Sequence, residues 1–185
     1  MTKLIVVRTG HTDWNVINRI QGSLDIPLNE RGVLSAKRAA YELKEVKIDC
    51  IFSSCLSRSY ETASIIAEEH NMKLKKAKEL NELDHGLWQG LTLAEIKKRY
   101  TKQYVSWKAS PFSTKPPQGE SVKEAYDRVV NFVQKIVDKN KNKQICIVAH
   151  EIVIALIKCH FQSLDVNDIW SIMTDAGTWE IIDIG

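Results

Sequence analysis

The chain has 185 residues, 44% of them hydrophobic and 26% charged, with a formal net charge of +3. That length suits one domain with a full-sized core, and so small a basic excess gives no support to a nucleic-acid partner. No apolar run reaches the roughly 18 residues of a membrane-spanning helix, which argues against a membrane partner.

The opening MTKLIVV reads as the start of a strand rather than a signal peptide. Leu4 to Val7 form a short continuous apolar run, as expected of a strand buried on both faces. Asn29 is placed to cap a helix whose Val33, Ala36, Ala40 and Leu43 recur on one face. Cys50, Ile51 and Phe52 read as a second buried strand, followed by a helix from about Ser57 to Glu69. The stretch from Ser110 to Gly119 holds three of the four prolines and reads as a surface loop, because neither flank could bury a core of its own. Ser121, with Glu124 three residues on, forms a capping box for a third helix. The apolar face of that helix is Ala125, Val129, Phe132 or Val133, and Ile136. Ile145 to Ala149 give a third buried strand, then a helix through Ile154, Leu156 and Ile157, then a last strand near Trp179 to Ile184. Strands alternating with helices imply an α/β fold: a three-layer α/β/α sandwich with a mostly parallel central sheet, in one domain over residues 1–185. Trp170 and Trp179 are expected in the core. The cysteines, Cys50, Cys55, Cys146 and Cys159, form no CxxC pair and read as reduced core residues, from which a cytoplasmic location follows.

Three of these strands end in polar residues: Arg8-Thr9-Gly10-His11, Ser53-Ser54 leading to Arg58, and His150-Glu151. In a sheet so wound, ligands sit at the carboxyl ends of the strands. A lone arginine there is readily explained by a carboxylate partner in solvent. Two arginines and a histidine sharing a small volume are costly unless an anion neutralises them, and a guanidinium fork suits phosphate oxygens. Glu82 lies in a loop, Leu80 to Gly90, with Trp88 as an aromatic anchor, and a carboxyl near a phosphate could donate its proton to a leaving alkoxide. Asp84 and His85 are further candidates in that loop. Lys108 and Lys115 read as solvated lysines, with a substrate carboxylate as the alternative partner.

The series resembles the histidine phosphatase superfamily, also called the phosphoglycerate mutase-like family. The family's Arg-His-Gly-Glu-Thr opening, its Trp-Asn and its Gln-Gly pair are matched by Arg8-Thr9-Gly10-His11-Thr12, Trp14-Asn15 and Gln21-Gly22. Pro27 to Gly32, Ser53 to Ala63, the Glu82 loop, Gly119-Glu120-Ser121 and Val148-Ala149-His150 follow in the family's order. The resemblance implies a phosphomonoester hydrolase acting on a small phosphorylated metabolite. It implies Arg8, Asn15, Arg58 and His150 as the phosphate clamp and Glu82 as proton donor. Gln21, Gly22, His11, His85 and Glu151 would border the substrate. No cofactor and no metal are implied, since the arginines supply the positive charge. The partner would be a small phosphorylated molecule or inorganic phosphate, and a homodimer is compatible. The chain is short for a bisphosphate-dependent mutase, which favours hydrolysis, with phosphoglycerate mutase-type phosphotransfer as the alternative. The segment Asp84 to Trp88 resembles bacterial metal-independent phosphoserine phosphatases and α-ribazole phosphatases.

The chain departs from the pattern at three positions. Thr9 stands where the family has its nucleophilic histidine, His11 where the signature has glutamate, and Glu151 where a small residue is common. A threonine hydroxyl is a weak nucleophile without an adjacent base. Three explanations stay open: an engineered nucleophile variant, a natural phospho-ligand-binding pseudophosphatase, or a different residue in the nucleophile's role, with His11 the obvious candidate.

Overall fold

The computed structural model describes all residues from Met1 to Gly185. Five strands make one sheet: β1 (Thr2–Arg8), β2 (Cys50–Ser53), β3 (Leu74–Lys76), β4 (Gln144–Ala149) and β5 (Trp179–Ile184). Their order is β3-β2-β4-β1-β5. β1, β2, β3 and β4 run parallel, and β5 runs antiparallel to β1 at the edge. The α/β architecture and the mostly parallel sheet are as the sequence implies.

The sandwich follows from the side-chain alternation of strands. Leu4 and Val6 of β1 enter one core, shared with Ile147 and with Val129 and Val133 of α6 (Val122–Lys139) and Ile154 of α7 (Glu151–Phe161). Ile5 and Val7 enter the opposite core with Cys146, Leu43 of α2 (Glu30–Leu43) and Ile66 of α3 (Ser57–Glu69). A third apolar cluster gathers Leu83, Trp88, Ile96, Trp107, Val122, Ile152 and Ile169 beyond the sheet's carboxyl edge. It lies under α4 (Leu93–Arg99) and α5 (Thr101–Ala109), two helices without a sequence expectation.

The helix starts obey local chemistry. Asn29 Oδ1 accepts the Gly32 N–H at 2.9 Å. Ser121 Oγ accepts the Glu124 N–H at 3.1 Å, while Glu124 accepts the Ser121 N–H at 2.7 Å. The four cysteines are free, but only Cys146 and Cys159 are buried; Cys50 is half-buried and Cys55 exposed, because Cys55 falls on the turn after β2. Trp170 and Trp179 are half-buried rather than core. Each indole N–H reaches outward, to the Lys108 carbonyl at 3.0 Å and to Glu42 at 2.8 Å.

Register brings the strand ends together. Arg8 pairs across from Ala149, so His150 lies one residue beyond the same edge, and Ser53 pairs with Val148. The loop after β1, which leads into the short helix α1 (Asp13–Val16), is then pressed onto the start of α2. A Cβ at Gly32 would come within 2.1 Å of the His11 carbonyl oxygen and 2.9 Å of the His11 nitrogen, both backbone atoms. Gly32→Ala is therefore expected to cost about 2 kcal/mol or more, read as a fall of about 4–8 °C in the thermal midpoint. An unchanged midpoint would show that the loop can yield.

Candidate functional site

The strand ends open onto one cavity of about 740 Å³. Arg8, Thr9, His11, Asn15, Gln21, Gly22, Arg58, Glu82, His85, His150 and Glu151 all line it, whereas Asp84, the other candidate of the Glu82 loop, does not: its carboxylate accepts the Gly86 N–H at 2.8 Å. Lys108 lines it too; Lys115 does not.

Arg58 is 3% exposed, on the first turn of α3. Its guanidinium donates to the Leu24 carbonyl and the Gly22 carbonyl, both at 2.8 Å. Burial lowers its pKa from the ordinary value, with Glu82 and Asp25 nearby opposing the shift. Gly22 thus contributes its carbonyl to holding Arg58 as well as bordering the cavity, in a positive-φ conformation (54°) that suits glycine.

Arg8 is not left to an anion alone. Its guanidinium donates to Glu151 at 3.0 Å and also to the Thr174 carbonyl. Glu151, the first residue of α7, supplies the carboxylate that the lone-arginine explanation calls for. Burial raises the Glu151 carboxyl above its ordinary range against the pull of Arg8, and nearby Glu82 adds to the rise.

His150 Nε2 lies 2.7 Å from Ser54 Oγ, which also accepts the Leu56 N–H at 3.2 Å. Burial first, then Arg58, Arg128 and Arg8, hold His150 well below its ordinary pKa. It is a neutral imidazole near pH 7. Burial likewise pushes the Glu82 carboxyl up, opposed by its hydrogen bonds from the Leu83 N–H at 2.8 Å and the Ile152 N–H at 3.3 Å and by Arg58 and Arg128. A raised carboxyl suits a proton donor. The Glu82 loop is fastened by Arg128 of α6, which donates to the Glu79 and Glu82 carbonyls and grips Glu120 with two bonds, at 2.6 and 2.8 Å.

Thr9 is buried, and its surroundings answer part of the nucleophile question. Thr62 Oγ1 donates to the Arg58 carbonyl at 2.8 Å and accepts the Gly10 N–H at 3.1 Å. With its proton so committed, Thr62 can only accept from Thr9 Oγ1, 3.4 Å away. Thr9 therefore has a hydroxyl for a neighbour and neither an imidazole nor a carboxylate in hydrogen-bond contact to take its proton.

The other residues divide by how much freedom they keep. Asn15 Oδ1 accepts from the Thr12 N–H at 2.8 Å and the Thr12 hydroxyl at 3.0 Å, which leaves its amide hydrogens for a ligand. His85 is 6% exposed, donates from Nδ1 to the Leu83 carbonyl at 3.0 Å and meets Trp107 edge-on at 5.7 Å. Its role is mainly to hold the loop. His11 is half-buried with Nδ1 lacking a partner; burial, Arg31 and Arg8 lower its pKa while Asp175 opposes them. Ser54, Thr62, Arg128 and Asp175 were not singled out for roles from the sequence. Ser54, Thr62 and Arg128 act through contacts tens of residues away and Asp175 through its charge near His11, and only Ser54, at a strand end, carried a positional signal.

A model of the histidine phosphatase superfamily (branch 1) matches residues 4–185. The chain belongs to that superfamily. It is 34% identical over 182 residues to phosphoserine phosphatase 1 of Hydrogenobacter thermophilus, covering 98% of this chain and 86% of that one. Its fold is similar to that of a mycobacterial glucosyl-3-phosphoglycerate phosphatase solved with VO3, with a TM-score of 0.90, 29% identity and coverage of 97% and 91%. It is also similar to the α-ribazole phosphatase of Shigella flexneri, with a TM-score of 0.89, 26% identity and coverage of 99% and 91%. In this cavity Arg8 is paired with a carboxylate, and the Thr9 hydroxyl has no base in hydrogen-bond contact. No helix of the chain is long and apolar enough to cross a membrane.

His85 gives a pH test of the loop. Burial lowers its pKa from 6.5 to about 4. Between those values the unfolded chain binds the extra proton, so stability falls as pH falls through that window. Urea unfolding at pH 7 and pH 4 is expected to show an acid loss of about 3 kcal/mol from this group, and His85→Asn should show a correspondingly smaller loss. Equal losses in both chains would contradict the assignment.

Glu151 gives a second test. Its carboxylate competes with any anion for Arg8, so Glu151→Gln should strengthen sulfate binding about tenfold. Protonating Glu151 has the same sense, so the unaltered chain should bind sulfate more tightly at pH 5 than at pH 7, with a shallower slope in Glu151→Gln. Calorimetric titration reads both; weaker binding in the variant would mean that Glu151 helps to hold the anion.

Proposed function

We propose that the chain captures the phosphoryl group of a small phosphomonoester between Arg8, Arg58 and His150, with the Asn15 amide as a further donor. The observation that carries this reading is that these donors and Glu82 face one cavity at the carboxyl edge of the sheet. Phosphoryl transfer depends mainly on positioning and charge neutralisation, and such a clamp offers both. Glu82, with its raised pKa, stands as the proton donor to the departing oxygen. The similar phosphatases act on phosphoserine, glucosyl-3-phosphoglycerate and α-ribazole phosphate by name. What such esters have in common is the phosphoryl end, which is the end this clamp addresses.

The covalent route through residue 9 is closed in this reading, because the Thr9 hydroxyl has only Thr62 beside it. Mutase-type phosphotransfer through the same position is closed with it. The chain is then a phosphatase frame with strongly impaired turnover, and its dominant property is binding. The pseudophosphatase reading draws specific support from that hydrogen bond. The retained Glu82 loop supports the hydrolase lineage.

Thr9→His is the deciding variant. Restoring an imidazole nucleophile is expected to raise p-nitrophenyl phosphate hydrolysis by about three orders of magnitude or more. Equal rates in the two chains, abolished by Thr9→Ala, would show that Thr9 is itself the nucleophile. If Thr9→His stays inert while phosphate still protects both chains against thermal unfolding, the protein is a binder only.

A further inference from the structure

A phosphoryl group needs only a small part of a 740 Å³ cavity, a volume within the roughly 300–1,000 Å³ range of sites for drug-sized ligands. The rest of the cavity differs in character from the clamp. Trp14, Ile20, Tyr104, Trp107, Trp170 and Met173 contribute to its wall. The aromatic rings brace one another: Trp88 meets Trp107 edge-on at 5.4 Å and 84°, and Trp107 lies 4.4 Å from Trp170. Such a wall is rigid and apolar, and it favours flat apolar groups.

The charges are unevenly divided between the two parts. The acidic side chains lining the cavity are Glu82, Glu151 and Asp175. Glu82 acts on Arg58, Glu151 is bonded to Arg8, and Asp175 acts on His11. Beside the aromatic wall stand two cations: Lys108, with Nζ 4.0 Å from the Trp170 ring centre and Glu151 near enough to act on it, and Arg19, 5.6 Å from the ring centre of Trp14. An ammonium group carried by a leaving group would meet those two cations, while the carboxylates lining the cavity already face Arg58, Arg8 and His11.

Resting on the phosphoryl-binding reading above, we propose that this wall is the leaving-group subsite and that the preferred substrates are phosphomonoesters of bulky, flat, apolar alcohols, not zwitterionic amino-acid phosphates. The phosphoryl group fixes one end at Arg8 and Arg58. The ring system of the alcohol lies along Trp14, Tyr104 and Trp170, where removing apolar surface from water favours binding.

The test is calorimetric titration of the unaltered chain with inorganic phosphate, phosphoserine and 1-naphthyl phosphate. The expected result is that 1-naphthyl phosphate binds at least tenfold more tightly than phosphoserine. That ratio should fall at least fivefold in Trp170→Ala and in Tyr104→Ala, the second variant serving if the first does not fold. Inorganic phosphate binding with a ratio near one, or a ratio that survives in the folded variants, overturns the subsite and leaves the clamp standing. Absence of binding by all three ligands overturns the phosphoryl-binding reading itself.

Discussion

A guanidinium buried to 3% exposure, held by the carbonyls of Gly22 and Leu24, is the constraint around which the rest is arranged. Arg58 forms no ion pair, and its two bonds to neutral carbonyls leave its charge only partly compensated. A buried cation in that condition is costly. The fold keeps Glu82 and Asp25 near enough to lower the cost and opens the cavity on the same side. An anion entering there meets a charge already desolvated, which strengthens the attraction.

Several other charged groups are balanced one by one. Arg8 has Glu151, Arg128 has Glu120, and the buried imidazoles of His85 and His150 are kept neutral. Rigidity comes from the apolar packing beneath. The Glu82 loop is pinned on one side by Arg128 and on the other by Trp88, which is 1% exposed against Tyr100, Tyr104 and Trp107. One cluster therefore serves both the proton donor's position and the aromatic wall of the cavity.

Much of this was legible in the chain. The buried strands β1 and β4 announce themselves as unbroken apolar runs, and Asn29 and Ser121 as caps, because those signals are local. β3 was missed because its three residues, Leu74, Lys75 and Lys76, include two lysines, as befits an exposed edge strand. Helices α4 and α5 were missed because each buries a single side chain, Ile96 and Trp107, so no apolar stripe marks them. Trp170 was expected in the core but stands half-buried at the cavity, since side-chain size alone does not separate a core from a binding wall.

The α/β sandwich, the order of the family's motifs and the residue types at the strand ends can be read along the chain, for hydrophobic period, capping and motif order are properties of sequence neighbours. That Glu151 rests on Arg8, that Thr62 is the partner of Thr9, and that Arg128 fastens the Glu82 loop emerges once the chain is folded. Those partners are separated by 143, 53 and 46 residues. The reason is physical: a side chain's proton-transfer chemistry depends on the groups within a few ångströms of it, and here the sheet's parallel register, not chain proximity, selects those groups.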